Sequence, residues 1–411
     1  MIKMIEISLA EAQKFILEKQ GLVTKTPSQS TLDVAQRIHN IQIDTISVVA
    51  RSHDLTVFSR FSHYQEKDIW KLLEQKKLFE SISHALCLLP IEEFPFYNWQ
   101  MMTYRNSQKS AYWSDWTRNN KKVIDHVYDS IKKHGACSSK DFKVPNERKS
   151  KGWWEWKSEK RALEYLFRIG KVLIHYRKGF QKYYDLPERV LPHTIDLEPM
   201  SVEAVPDYIC EKTFASYGIG NQQEIRCYIK SRAAQQLWNN KKDKITNYLD
   251  LKAKENILTK VKIETIKEPQ YVRIQDIDLL KKDDTIIMDH VQFINPFDNV
   301  IRERSLLAKY WRFKYTLEAY TPQAKRKYGY YLMPILDGHQ FIGRLEPKVH
   351  RKKNMLEIKS IYFEVGYTPT KQSLERFRQG ILKFAEFHKC DQIQIGQISP
   401  IKYKSQIHSL F

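Results

Sequence analysis

Residues 157–186, KSEKRALEYLFRIGKVLIHYRKGFQKYYDL, hold a helix, a break and a hairpin in succession. Ala162, Leu163, Leu166 and Phe167 recur at the three- and four-residue spacing of one helix face, so Lys157–Ile169 is expected to be helical. Gly170 ends it. Lys171–Tyr176 then reads as an apolar strand, Arg177-Lys178-Gly179 as a turn, and Phe180–Leu186 as the returning strand. A long helix followed by a basic hairpin is the second half of a winged helix. That unit places the helix in a DNA groove and lets the hairpin touch the backbone. The same unit can instead serve protein contacts alone; the charge balance below favours DNA.

On its N-terminal side, Val123–Lys133 is a helix broken at Gly135, and Ser138-Ser139-Lys140-Asp141-Phe142 starts a short second helix with a serine cap. These complete a winged helix over residues 122–197. Upstream, residues 8–18 (SLAEAQKFILE) form a helix with a Ser8/Glu11 capping box, ended by Gly21. Ser30–Ile38 and Glu66–Glu74 are further helices. Leu78–Leu89 (LFESISHALCLL) reads as an apolar helix carrying one histidine, His84, stopped by Pro90. With an aromatic, basic connector over 94–121, residues 1–121 make a first winged helix. Residues 198–284 make a third, with a helix over Ser231–Lys241 and a hairpin around Glu268-Pro269. From Thr285 the pattern alternates like strands, including the stretch 312–351, with turn signals such as Asp337-Gly338. A closing helix (Gln372–His388) and a last strand (Cys390–Ile398) follow. The expected fold class is α+β: three tandem winged-helix domains (1–121, 122–197, 198–284) followed by a C-terminal β-barrel-like domain (285–411).

The 68 Lys and Arg exceed the 48 Asp and Glu by 20, an excess that points to a polyanionic partner. The charge is interleaved with Trp and Tyr along the chain rather than gathered in one amphipathic helix or tail, which favours nucleic acid over a membrane surface. Five scattered cysteines with no CxxC pair argue against a zinc site or a disulfide framework and fit a reducing compartment. No signal peptide and no membrane-length apolar run is visible, so the expected location is cytoplasmic. No metal cluster, P-loop or dinucleotide fingerprint appears, and no cofactor is expected.

One short stretch carries candidate chemistry. In His39-Asn40-Ile41-Gln42-Ile43-Asp44-Thr45, an amide and a carboxylate stand two residues apart in an apolar run. On an extended chain Gln42 and Asp44 share a side; on a helix they diverge by about 200°. On spacing alone the commoner role for Asp44 is to cap a following helix.

Four stretches, in order, carry a resemblance: IQIDTISVVARSHDLTVFSR (41–60), FESISHALCLLP (79–90), INPFDNVIRER (294–304), and KYTLEAYTPQAKRKYGYYLMPIL with FIGRLEPK (314–348). The chain resembles the YcaQ/AlkZ family of winged-helix DNA glycosylases, which excise alkylated bases and unhook interstrand crosslinks. The resemblance implies three winged helices and a β-barrel wrapped around duplex DNA. It implies a catalytic motif of Gln, apolar, then Gln or Asp, here Gln42-Ile43-Asp44. The Asp form is similar to the crosslink-repair branch active on N7-alkylguanine; the Gln form marks a branch specialised for a bulky natural-product adduct. Relatives often carry an aromatic pair where this chain has Ser81-Ile82-Ser83, which touches substrate range. With the family in view, the catalytic reading overtakes the cap.

The chemistry suits the residues. N7-alkylguanine already carries positive charge, so its departure needs no general acid. A carboxylate can oppose an oxocarbenium-like sugar and deprotonate water, and an amide can hold that water. No lysine is required, so a monofunctional hydrolase is expected. Arg51 and His53 can touch phosphates or support Asp44, or lie on a solvated helix face. His84 can orient the lesion or be a core histidine. Lys325, Arg326, Lys327 and Tyr328 fit a basic hairpin tip in the minor groove, or an ordinary charged turn. Arg302 and Arg304 can line a DNA channel. Trp153, Trp154 and Trp156 can stack on bases or fill a core. The partner expected is duplex DNA with alkylated or crosslinked guanine, bound by a monomer. A non-catalytic winged-helix regulator is the alternative function; an RNA-binding scaffold finds no aromatic RNP-like pattern to support it.

Overall fold

The computed structural model describes residues 4–23, 26–107, 111–142, 158–228, 232–238, 241–281 and 288–411. The fold is mixed α+β, and Cα proximity divides the chain into two compact units. One gathers residues 1–64, 212–228 and 242–411; the other gathers 65–211 and 229–241.

In the second of these, the periodic helix runs Ser158–Arg168 and buries Ala162, Leu163, Leu166 and Phe167. The hairpin follows as Leu173–Lys178 and Gln181–Asp185, antiparallel. Both pack with Val127 and Ile131 of the helix Lys121–His134 in one core that includes Tyr184 and Leu186. Arg177, near the hairpin tip, is taken up internally. Its guanidinium grips Glu80 with two 2.6 Å bonds and lies 4.5 Å from the Phe180 ring centre. Lys178 is left exposed.

Two expectations need correction here. Leu78–Leu89 is not a helix but two antiparallel strands, Leu78–Ile82 and Leu86–Pro90, with His84 in the turn. Phe79, Cys87, Leu88 and Leu89 are all buried, and a short continuous apolar run has no period that separates a buried strand from a helix. Ser138–Phe142 is a turn, closed by Asp141 accepting from the Ser138 N–H (2.7 Å) and Oγ (2.9 Å). The expected helix over Ser231–Lys241 is present as Arg232–Leu237; Ser231, Asn239 and Asn240 lie outside the described residues. Trp153, Trp154 and Trp156 lie outside the described residues.

The other unit starts with a strand, Ile5–Ile7, parallel to Leu258–Ile263, which pairs in turn with Gln270–Arg273. The helix Leu9–Lys19 carries the expected capping box of Ser8 and Glu11. The C-terminal part is a five-stranded sheet in the order Gln292–Phe293, Met333–Asp337, Gln340–His350, Met355–Phe363, Gln392–Ser399. Its last pair is parallel. A parallel neighbour requires a crossover, and the helix Lys371–Phe387 supplies it, burying Phe377, Ile381 and Phe384 in the core that the sheet shares. The sheet is therefore open and covered by a helix, not a closed barrel. Between Trp311 and Met333 the expected strands are missing; only two short 3₁₀ turns, Glu318–Tyr320 and Gln323–Lys325, interrupt irregular chain.

Among the described residues, no helix is long and apolar enough to cross a membrane.

Candidate active site

The candidate site is built from the end of one helix. Thr31–Ile38, capped by Ser30 Oγ accepting from Asp33 N–H at 3.1 Å, stops at His39, whose φ of +64° is left-handed. A helix leaves its last carbonyls without partners. Here the Asn299 side chain donates to two carbonyl oxygens, those of Ile38 (3.0 Å) and Asn40 (3.2 Å), and the chain leaves extended through the short strand Ile41–Gln42. Ile41 (0% exposed) and Ile43 (7%) anchor that segment, while Gln42 and Asp44 are half-buried. Burial alternates along 41–44, the pattern expected when Gln42 and Asp44 share the more open side.

Asp44 caps no helix. The next helix begins at Ser52, with Arg51 at its N-cap. Asp44 Oδ1 accepts from the Ile46 N–H at 2.8 Å, a turn two residues long. Its second oxygen has no hydrogen bond among the described residues. Ser52 Oγ donates to the Gln42 carbonyl at 2.6 Å and ties the two ends of this loop together.

The stretch Ile294–Arg304 clasps the loop from behind. Asn295 Nδ2 donates to Thr56 Oγ1 at 2.7 Å. Asp298 holds the Arg60 guanidinium with bonds of 2.6 and 2.9 Å, both side chains fully buried. With Asn299, three polar residues of this stretch therefore fix residues 38–60.

A second loop comes close. The buried Glu318 carboxylate accepts the backbone N–H groups of Lys327 (3.1 Å), Tyr328 (2.9 Å) and Gly329 (3.0 Å). Burial alone pushes this carboxyl up, but the three N–H groups and Arg326 win and hold it below its ordinary value. The loop so pinned presents Tyr320 at 75% exposure and exposed Lys325 and Lys327. Arg326 lies 4.9 Å over the Tyr330 ring, and Lys327 4.9 Å over the Tyr328 ring. Burial first, and then the charge of Asp44, raise the Tyr320 phenol; burial, Tyr315 and Asp44 raise that of Tyr331. Asp44 is thus within electrostatic reach of both rings.

The other sequence-expected residues differ in their surroundings. His53 is not on a solvated face: it is fully buried, 3.6 Å from Asp54, whose Oδ1 accepts from Tyr64. Arg51 is half-buried. The Arg302 side chain is 5% exposed and bonded to Tyr217 Oη (3.0 Å), the Cys227 carbonyl (3.4 Å) and Glu303 (3.2 Å). Arg304 donates to the carbonyls of Ile301 and Pro296 and covers the Tyr315 ring at 4.5 Å. Both guanidiniums therefore serve internal bonds first. Lys325–Tyr328 lie on the pinned irregular loop, not a hairpin tip. His84 belongs to the other unit, its Nδ1 3.9 Å from Cys87 Sγ. Spacing did not single out Asn40, 1% exposed with neither amide atom partnered among the described residues, nor Tyr331, fully buried with an unpartnered hydroxyl. The sequence signal for Asn40 is its place two residues before Gln42. Among the described residues no group of His, Cys, Asp and Glu is assembled to hold a metal ion.

The family model for DNA glycosylase AlkZ-like proteins matches residues 35–384, most of the chain and all of the loop system above. The chain belongs to the AlkZ-like DNA glycosylase family. Its fold is also similar to that of the Streptomyces sahachiroi DNA glycosylase AlkZ: TM-score 0.65 at 15% identity, covering 96% of this chain and 100% of that one. An AlkZ-like glycosylase has DNA as its partner, and the basic excess of 20 charges agrees with that.

Proposed function

We propose that this AlkZ-like protein hydrolyses the N-glycosidic bond of N7-alkylguanine in duplex DNA, and unhooks crosslinks joined at N7, as a monofunctional enzyme. What supports the reading is the burial alternation along 41–44, with Ile41 and Ile43 buried and Gln42 and Asp44 half-buried, together with an Asp44 oxygen that has no hydrogen bond among the described residues. As the C1′–N9 bond breaks, its electron pair neutralises the cationic base and positive charge develops on the sugar. Asp44 opposes that charge and takes a proton from the water whose oxygen bonds to C1′; the Gln42 amide holds that water. The products are free alkylguanine and an abasic site. Exposed Lys325 and Lys327, with Arg326, would face phosphates beside this site. We infer that the helix-and-hairpin modules act as tandem winged helices along the duplex and that a monomer suffices. The free thiols fit a reducing, cytoplasmic setting.

The test is incubation with duplexes holding one N7-methylguanine or a nitrogen-mustard crosslink, scoring free base and abasic sites for the native chain and Asp44→Asn. Release by the native chain and a loss of about 10²–10⁴-fold in the variant is the expected result. Absence of release on both substrates would favour a non-catalytic DNA-binding regulator. Equal release by Asp44→Asn would refute the assignment of the base.

A further inference from the structure

Tyr331 begins where the pinned loop enters the sheet, two residues before the strand Met333–Asp337. Its ring is fully buried, and its hydroxyl has no hydrogen-bond partner among the described residues. Phenylalanine would fill the same volume without burying an unpaired hydroxyl, a group that is costly to leave unmade. Packing alone therefore does not account for a tyrosine.

The surroundings point to a use. Tyr331 shares one core cluster with Val49 and Ala50, and Ile46, Val48, Leu317 and Tyr330 pack against that cluster. Residues 46–50 are the turn that leaves Asp44, and its first bond is the one from the Ile46 N–H to Asp44 Oδ1. The ring thus lies in the same core that the segment after Asp44 packs into. The other carboxylate oxygen is open. Burial, Tyr315 and the Asp44 charge all keep the proton on the Tyr331 oxygen, so it can act only as a neutral donor near a carboxylate. A carboxyl torsion is broad and roughly two-fold, so Asp44 can rotate at small cost when a second donor is offered.

We propose that Tyr331 is a positioning residue for Asp44: with DNA bound, its O–H donates to one carboxylate oxygen and leaves the other aimed at the hydrolytic water. No proton is transferred by Tyr331; it fixes the rotation of the base. The inference rests on the glycosylase reading above.

The experiment uses the full chain and a duplex with one N7-methylguanine. Native, Tyr331→Phe, Asp44→Asn and the double variant are compared by single-turnover base release with enzyme in excess, by DNA affinity, and by thermal midpoint. Tyr331→Phe should release base roughly ten- to a hundredfold more slowly, the range of one charge-assisted hydrogen bond. Affinity should stay within about twofold and the midpoint should hold or rise, because the lost hydroxyl was unpaired. In the Asp44→Asn background the second change should cost nothing further. Release by Tyr331→Phe within about twofold of native overturns the inference, as does slow release that merely tracks a lower midpoint or weaker binding. An inactive native chain refutes the glycosylase reading and takes this inference with it. An active native chain with a dead Asp44→Asn and a normal Tyr331→Phe refutes the inference alone.

Discussion

Asp298→Ala removes the partner of a guanidinium that has no access to water. The Arg60 and Asp298 side chains are both 0% exposed, joined by two bonds of 2.6 and 2.9 Å. Arg60 keeps bonds to the carbonyls of Gln20 (2.7 Å) and Thr56 (3.0 Å), but neutral carbonyls do not offset a buried positive charge. Breaking such a pair from one side costs about 3–5 kcal/mol. Asp298 also caps the turn Asn299–Arg302, accepting from Val300 N–H at 3.1 Å, and an N-cap is worth about 0.5–2 kcal/mol. The two losses overlap, so the expected total is about 4–6 kcal/mol, a large share of the roughly 5–15 kcal/mol that holds a domain together. The control is Arg60→Met with Asp298→Leu. It leaves no unpaired charge and should be clearly less destabilised than Asp298→Ala, although the cap and the carbonyl bonds of Arg60 are gone. The assay is hydrogen exchange read peptide by peptide over residues 38–60 and 294–311, which reports the opening free energy of this unit rather than of the whole chain. A change under about 1 kcal/mol for Asp298→Ala, or a double variant no better than the single one, would refute the reasoning.

Two more changes test the pinned loop. Glu318 has a carboxyl held below its ordinary value, so the stability it supplies is full above the unfolded carboxyl's value of about 4.3 and is lost as pH falls through the lower folded value; the amides of Lys327, Tyr328 and Gly329 should lose exchange protection over that acid range, and Glu318→Gln should remove the pH dependence while costing about 1–3 kcal/mol. Unchanged protection in the variant would show that other contacts hold the loop. Lys325→Gln, Arg326→Gln and Lys327→Gln together should flatten the slope of log affinity against log salt by up to about 2–3, with little effect on folding; an unaltered slope places the phosphate contacts elsewhere.

Where the residue pattern spoke with one period, the fold followed it. Ala162, Leu163, Leu166 and Phe167 can share a face only on a helix, and the helix is there. The Ser8/Glu11 box caps as its spacing requires. The pattern misled where two structures satisfy it equally, as in the apolar run 78–89. It misled differently over 314–332. The alternating aromatics there suit a strand, but a strand also needs its N–H groups for a ladder. The N–H groups of Lys327, Tyr328 and Gly329 go to the Glu318 carboxylate, and that of Tyr330 goes to Glu346. Nothing in local alternation reveals that a glutamate nine to eleven residues upstream takes them. The missing barrel has a similar origin: periodicity marks the closing helix, but nothing local shows that it carries the last strand to a parallel place beside Met355–Phe363.

The candidate site itself was half legible. As a cap, Asp44 would accept from the N–H two or three residues on, and it does accept from Ile46. The local expectation was therefore right about the bond and silent about the consequence. A helix starting here would need Ile46, Val48 and Val49 on a helical path. Instead those residues pack in or against the core of the C-terminal sheet, and helix formation is deferred to Ser52. On the other flank, Asn299 satisfies the carbonyls that would otherwise keep the chain winding past Ile38. The path of the chain through Gln42 and Asp44 is thus constrained from outside: by Asn299, about 260 positions away, on one flank and by the core of the C-terminal sheet on the other. A motif whose conformation is set from outside itself can be recognised in a sequence only together with the stretch that sets it. That is why 41–60 and 294–304 carry meaning as a pair: separately, each is a short polar interruption in an apolar run.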